Sequence, residues 1–148
     1  TSDLSGRELR DRLVAEALES EERVAIRLTS FGYKHGIPLE ADLVFDVRAA
    51  ANPHWVPELR PLDGRSKEIS DFVLGDPTGA ALMQSIERYL DASVAAYLAD
   101  GRGRLSIAIG CTGGRHRSVA IVEALAHRLP AIAGSAPIVV EHRDLARS

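Results

Sequence analysis

The segment Cys111-Thr112-Gly113-Gly114-Arg115-His116-Arg117-Ser118 gathers a thiol, two glycines and three basic side chains. The apolar run 105–110 precedes it, and Val119, Ile121, Val122, Leu125 and Leu129 follow at helical spacing. That pattern predicts a strand, a glycine-bearing turn and a helix N-terminus. The first N–H groups of a helix have no intrahelical partner, and the aligned peptide dipoles favour negative charge there. Gly113 and Gly114 let the backbone curl so that such donors converge, and Arg115, His116 and Arg117 add side-chain donors. The chemistry expected of the segment is capture of a phosphate or similar anion, with Arg117 contributing more than Lys34.

The Cys-x5-Arg-Ser spacing also matches the signature of cysteine-dependent phosphatases, in which a thiolate attacks phosphorus while loop amides and the arginine hold the phosphoryl oxygens. A free thiol has a pKa of about 8.5, and a helix N-terminus beside arginines lowers it. Gly110 stands where those enzymes usually carry histidine, and no general-acid aspartate on a mobile loop is evident. Cys111 is equally well read as a small residue packed at a tight turn. Anion binding without turnover is therefore the preferred reading, with no catalytic residue assigned and phosphatase chemistry as the alternative.

The elements that must position this segment are legible in outline. Ser5 and Glu8 form a capping box ahead of Leu9, Leu13, Ala17 and Leu18, which predicts an N-terminal linker helix over 1–20 and a domain over 21–148. Val24, Ile26 and Leu28 alternate with Ala25, Arg27 and Thr29 as in a strand. A loop with Gly32 and Gly36 follows, then a second strand over 43–47. Prolines 53, 57 and 61 exclude regular structure there. Helices are predicted over 66–74, stopped by Gly75-Asp76-Pro77, and over 78–99, and a fourth strand over 138–140. Strands separated by helices predict an α/β domain with a mostly parallel central sheet flanked by helices. Ligands of such sheets bind beyond the carboxyl ends of the strands. Arg48, Asn52, His54, the 111–118 segment and Arg143 all follow predicted strands.

A chain of 148 residues suits one domain with a real core. No apolar run reaches the ~20 residues of a membrane span, and no signal peptide pattern opens the chain. The single cysteine rules out an intrachain disulfide, which suits a cytoplasmic protein. The net charge of −3 argues against non-specific coating of nucleic acid. His35 and His127 lack partners at metal-ligand spacing and are read as surface or helix residues, so no metal is expected. Trp55 is read as a packing anchor, with stacking on a sugar or base as its alternative. Tyr89 and Tyr97 are read as core or as an oligomer seam. Opening on Thr1 leads us to expect an excised fragment.

Four blocks carry a resemblance: 30–38 (Ser-Phe-Gly-Tyr-Lys-His-Gly-Ile-Pro), 42–48 (Asp-Leu-Val-Phe-Asp-Val-Arg), 52–61 (Asn-Pro-His-Trp-Val-Pro-Glu-Leu-Arg-Pro) and 110–118. Together they resemble the C-terminal domain of the RapZ/YvcJ family, with an alanine- and arginine-rich composition suggesting its actinobacterial branch. The resemblance implies a domain that senses a phosphorylated amino sugar or nucleotide sugar, such as glucosamine 6-phosphate or UDP-N-acetylglucosamine. It places the site at Arg48, Asn52, His54 and the 111–118 loop. In that family a P-loop domain binds ATP or GTP with Mg; no Gly-x4-Gly-Lys-Ser/Thr occurs here, so no cofactor is expected in this domain. The resemblance further implies homo-oligomers and, in some bacteria, small-RNA binding through a basic C-terminus. This tail offers Arg143 and Arg147 as RNA contacts but offsets them with Glu141 and Asp144, a departure that speaks against RNA binding.

Overall fold

The computed structural model describes residues 25–100, 103–134 and 136–147. The linker helix expected over 1–20 and the first residue of the expected first strand lie outside them. Four strands form one sheet: β1 (Ala25–Gly32), β2 (Leu43–Asp46), β3 (Arg104–Cys111) and β4 (Ile138–His142), in the order β2-β3-β1-β4. Every pairing is parallel, so the α/β class expected from the sequence is observed. Among the described residues three α-helices flank the sheet: α1 (Lys67–Gly75), α2 (Pro77–Ala99) and α3 (Arg117–Ala133).

The register fixes where function can sit. Gly32 lies opposite Cys111, Asp46 opposite Gly110, and Ser30 opposite His142. All four strands therefore end along the same edge, and the residues after them meet there. Inward alternation builds the floor beneath: Ile26 and Leu28 on β1, then Leu105, Ile107 and Ile109 on β3, all fully buried. Leu90 and Val94 of α2 and Ile121, Leu125 and Leu129 of α3 close on them. Each such side chain contributes roughly 1.5–3 kcal/mol by leaving water. Cys111 continues the 105-107-109 alternation, which buries it in the same cluster.

Gly75-Asp76-Pro77 both stops one helix and starts the next. Asp76 accepts N–H bonds from Gly79 at 3.0 Å and from Ala51 at 3.1 Å, while Pro77 occupies the first helical turn, where its missing N–H costs nothing. The 52–61 stretch holds only one 3-10 turn, Pro53–Trp55, as its prolines require.

Candidate functional site

At the end of β3 the chain turns through residues 112–116 into α3. Gly114 adopts φ +81°, and a Cβ there would lie 2.7 Å from the Gly32 amide nitrogen. The end of β1 and the turn thus meet backbone to backbone, and Lys34 N–H donates to the Thr112 carbonyl at 3.2 Å. Gly110 is required for a different reason. Any Cβ would come within 2.7 Å of the Phe31 ring, so the histidine that phosphatases carry there cannot be accommodated.

The basic side chains of the turn grip the loop that follows β2. Arg115 donates to the carbonyls of Leu62, at 3.1 Å, and Pro61. His116 Nε2 donates to the Arg60 carbonyl at 3.2 Å, and Gly64 N–H returns a bond to the Arg115 carbonyl at 2.9 Å. Burial holds the His116 imidazole below its ordinary pKa, aided by Arg115 and His54 and opposed by its bonds to Leu62 and Arg60. Arg117 reaches across to the carbonyls of Arg48 (2.6 Å) and Ala50 (3.3 Å) and to Thr112 Oγ1 (3.2 Å). It is only 6% exposed, and among the described residues no carboxylate forms an ion pair with it. Asp46 acts on it from beyond ion-pair distance while paired with Arg48, so the buried guanidinium is only partly answered inside the fold.

Above the turn opens a cleft of about 570 Å³. Of the residues expected at the site, Asn52, His54, Cys111, Thr112, Gly113, Arg115, His116 and Arg117 line it. Three others do not. Arg48 is engaged by Asp46 at 2.7–3.1 Å and lies 3.9 Å over the Tyr33 ring; its carbonyl serves the site by holding Arg117. The bonds from the Arg48 guanidinium are what chiefly lower the Asp46 pKa, and the charge of Arg117 adds to them. Gly114 is buried and donates its N–H to Cys111 Sγ at 3.3 Å. Ser118 is fully buried, its Oγ 3.1 Å from the same sulfur.

Lys34, Trp55 and Arg60 join the cleft wall beyond the set expected from the sequence. Lys34 had a legible signal, since it follows directly on β1. Trp55 is 74% exposed, so the packing-anchor reading is corrected. His35 lies in the 3-10 turn Tyr33–His35, half-buried with its Nε2 enclosed and without a hydrogen-bond partner, and His127 is exposed on α3, both within the surface-or-helix reading. Among the described residues no group of three His, Cys, Asp or Glu could hold a metal ion.

The C-terminal tail is organised by an acid. Asp144 is fully buried and accepts the Gly32 N–H at 2.8 Å. Arg143 donates to both its oxygens, at 2.8 and 3.0 Å, and to the Gly36 carbonyl, while Arg147 approaches at 3.4 Å. Burial alone would raise the Asp144 pKa, but the Arg143 and Gly32 bonds outweigh it and lower it. Nearby, Ser30 Oγ, His142 and Glu123 form a chain of bonds at 2.7 and 2.9 Å. Ser30 is fully buried and away from the cleft, so this chain ties β1, β4 and α3 together.

Residues 24–146 match the family model described as the RapZ C-terminal domain. The chain is 46% identical to a nucleotide-binding protein of Mycobacterium avium (strain 104), over 99% of this chain and 50% of that protein. A nucleotide-binding protein of Rhodococcus jostii (strain RHA1) is 44% identical over 99% of this chain and 48% of its own length. One of Streptomyces griseus is 45% identical, over 99% and 44%. The chain thus spans about half the length of these relatives.

Proposed function

The chain belongs to the family of RapZ C-terminal domains, and on that premise we propose that its strand-end cleft binds a phosphorylated amino sugar or a nucleotide sugar. It acts as the sensor of a cytoplasmic, homo-oligomeric nucleotide-binding protein whose ATP or GTP hydrolysis belongs to a P-loop domain. The observation that carries this reading is Arg117. A guanidinium buried beneath the cleft, held by neutral oxygens and ion-paired with no described carboxylate, leaves positive potential where a ligand phosphate would sit. The N-terminus of α3 adds to it, and Lys34 offers a cation on the wall.

Because Arg117 is held by the protein and Lys34 is exposed, Lys34 is the cleaner probe of direct contact. Calorimetry with inorganic phosphate, glucosamine 6-phosphate and UDP-N-acetylglucosamine is expected to detect binding. Lys34→Ala should weaken it by about tenfold, the value of one charged hydrogen bond. Absence of binding by all three would overturn the reading. The phosphatase alternative draws support from the Ser118 and Gly114 bonds to the Cys111 sulfur. It requires Cys111-dependent phosphate release from p-nitrophenyl phosphate, whereas the binding reading expects none.

A further inference from the structure

The β2-β3-β1-β4 order assigns each connection to a face of the sheet. Crossovers between parallel strands are right-handed. The β2-to-β3 and β3-to-β4 connections run one way along the sheet and put their helices on one face; the β1-to-β2 connection runs back and takes the other. The side chains agree. Ile26, Leu28, Leu105, Ile107 and Ile109 share one core cluster with the three helices, whereas Phe31 and Ala108, equally buried, stand outside it on the opposite face. The Tyr33 ring packs on Phe31 at 4.8 Å, so the 33–42 connection sets out on that second face. Among the described residues no α-helix covers it, although all-parallel sheets are as a rule covered on both faces.

What that connection leaves open is partly apolar. Val139 of β4 and Val44 of β2 point to this face by alternation with Ile138 and Phe45, and both are exposed. On the connection itself Leu39 is almost wholly exposed and Ile37 half so. One segment of the chain is placed to cover them. Residues 21–24 join it to Ala25, at the edge where the strands begin. Those four residues reach at most about 14 Å, enough for the roughly 10 Å between packed layers. The 5–20 stretch carries Leu9, Leu13 and Ala17 along one face of the expected helix. Its length as a helix, about 24 Å, matches the roughly 26 Å of the eight residues of β1.

Charge supports the same placement. A helix folding back from β1 sets Glu16, Glu19 and Glu22 near the strand starts, where Arg27 and Arg104 project from this face. It carries Arg10 and Arg12 about halfway up, level with Glu141. We propose that residues 5–20 pack as a helix antiparallel to β1 on this second face, over β1 and β4 and beside the 33–42 connection, with Leu9, Leu13 and Ala17 turned to the sheet. The occupant of the exposed valines is thus this chain's own N-terminal segment, which supplies the second layer that a parallel sheet requires. A single short helix is marginal in water by itself, so the sheet in turn is what holds it.

Cysteine pairs test the placement in the 148-residue chain carrying Cys111→Ser, which removes its one native thiol. Val139→Cys is combined with Leu13→Cys or with Ala17→Cys, and the folded chains are oxidised mildly. A disulfide forms only where the two Cα atoms come within about 7 Å. At least one pair is expected to close within a single chain, at a rate independent of protein concentration. Val140→Cys, the neighbour that points to the helix-bearing face, should not close with either partner. Disulfides only between chains overturn the proposal in favour of a second copy on this face. No disulfide, or equal closure with positions 139 and 140, overturns it outright. Hydrogen exchange on the unaltered chain gives a second reading: amides 5–20 should exchange at least about tenfold more slowly than in a peptide of residues 1–24, and Val139→Asp should remove that protection. Equal exchange in chain and peptide overturns the proposal as well.

Discussion

Arg117 and Arg143 lie at the same sheet edge, and each reaches over to backbone carbonyls of a neighbouring loop. They differ in what balances their charge. Arg143 faces the buried carboxylate of Asp144, with Arg147 on the same acid. Arg117 is bonded only to neutral oxygens, and the carboxylate that acts on it from farther off, Asp46, is itself paired with Arg48. The first arrangement is closed: its positive charge is answered inside the fold, and it fastens the tail to the amide of Gly32. The second is open: the carboxylate that acts on it is engaged by Arg48, which leaves room for an answering charge from outside. Equal residue types at one edge thus separate into a structural latch and a ligand seat, and the presence of a carboxylate decides which is which.

Removing the charges one at a time should break this pairing in opposite ways. Asp144→Ala leaves a buried amide and two arginines without their acid, and loss of one member of a buried ion pair costs about 3–5 kcal/mol. Arg117→Met removes a cation whose one interacting acid, Asp46, keeps Arg48 as its partner, leaving chiefly two carbonyls unmatched, at roughly 1–3 kcal/mol. Urea unfolding should rank them in that order. Phosphate or UDP should stabilise wild type and the Asp144 variant where folded, but not Arg117→Met. Equal destabilisation, or full ligand stabilisation of Arg117→Met, would erase the distinction.

The latch and the seat were not equally visible in the residues. Alternation of Leu105, Ile107 and Ile109, two glycines and a helical stripe suffice to place a strand, a turn and a helix start, because those signals are local. Strand order is set by how helices pack, so β2-β3-β1-β4 has no local signature. The carbonyl grip was hidden for a further reason. A carbonyl belongs to every residue, so nothing in the types at 48, 50 or 60–62 marks them as partners of Arg117, Arg115 and His116. Trp55 shows the same limit from the other side, since indole burial depends on which way its loop is pinned. Asp144, read as a charge diluting a basic tail, proves to be its anchor.

Acid should resolve the two regions by pH. The His116 pKa is lowered from 6.5, chiefly by burial, so the unfolded chain takes up this proton before the folded chain does. Its contribution to stability is complete above pH 6.5 and is lost as the pH falls through the folded value. The Asp144 pKa is lowered from 3.8, so its contribution is complete above that value and is lost only as the pH falls further. Unfolding free energy should therefore begin to fall as the pH drops below 6.5 through His116, and fall again below 3.8 through Asp144 together with Asp46 and Asp63. His116→Gln should flatten the upper limb and leave the lower one. A wild-type profile with a single limb below pH 4 would show that the grip on the Arg60 carbonyl does not depend on a neutral imidazole.

The smallest effect is expected at the tail. Sequence-independent affinity for RNA grows with the number of phosphates that Lys and Arg neutralise, and each contact steepens the dependence on salt. Arg143 is committed to Asp144 and to the carbonyls of Gly36 and His35, and Arg147 lies 3.4 Å from the same acid. Asp144, with Glu40 and Glu141 acting on Arg143 from farther off, offsets much of their charge, so a phosphate would gain little by approaching, and the chain as a whole is net acidic. Small RNAs should therefore bind weakly at about 150 mM salt, with a shallow slope of affinity against salt. Arg147→Ala should leave both affinity and slope unchanged in a filter-binding series, since the half-exposed side chain can be removed without disturbing the Arg143 bonds. If the slope instead flattens by about one unit when Arg147 is lost, that arginine contacts a phosphate, and the tail is an open seat like that of Arg117.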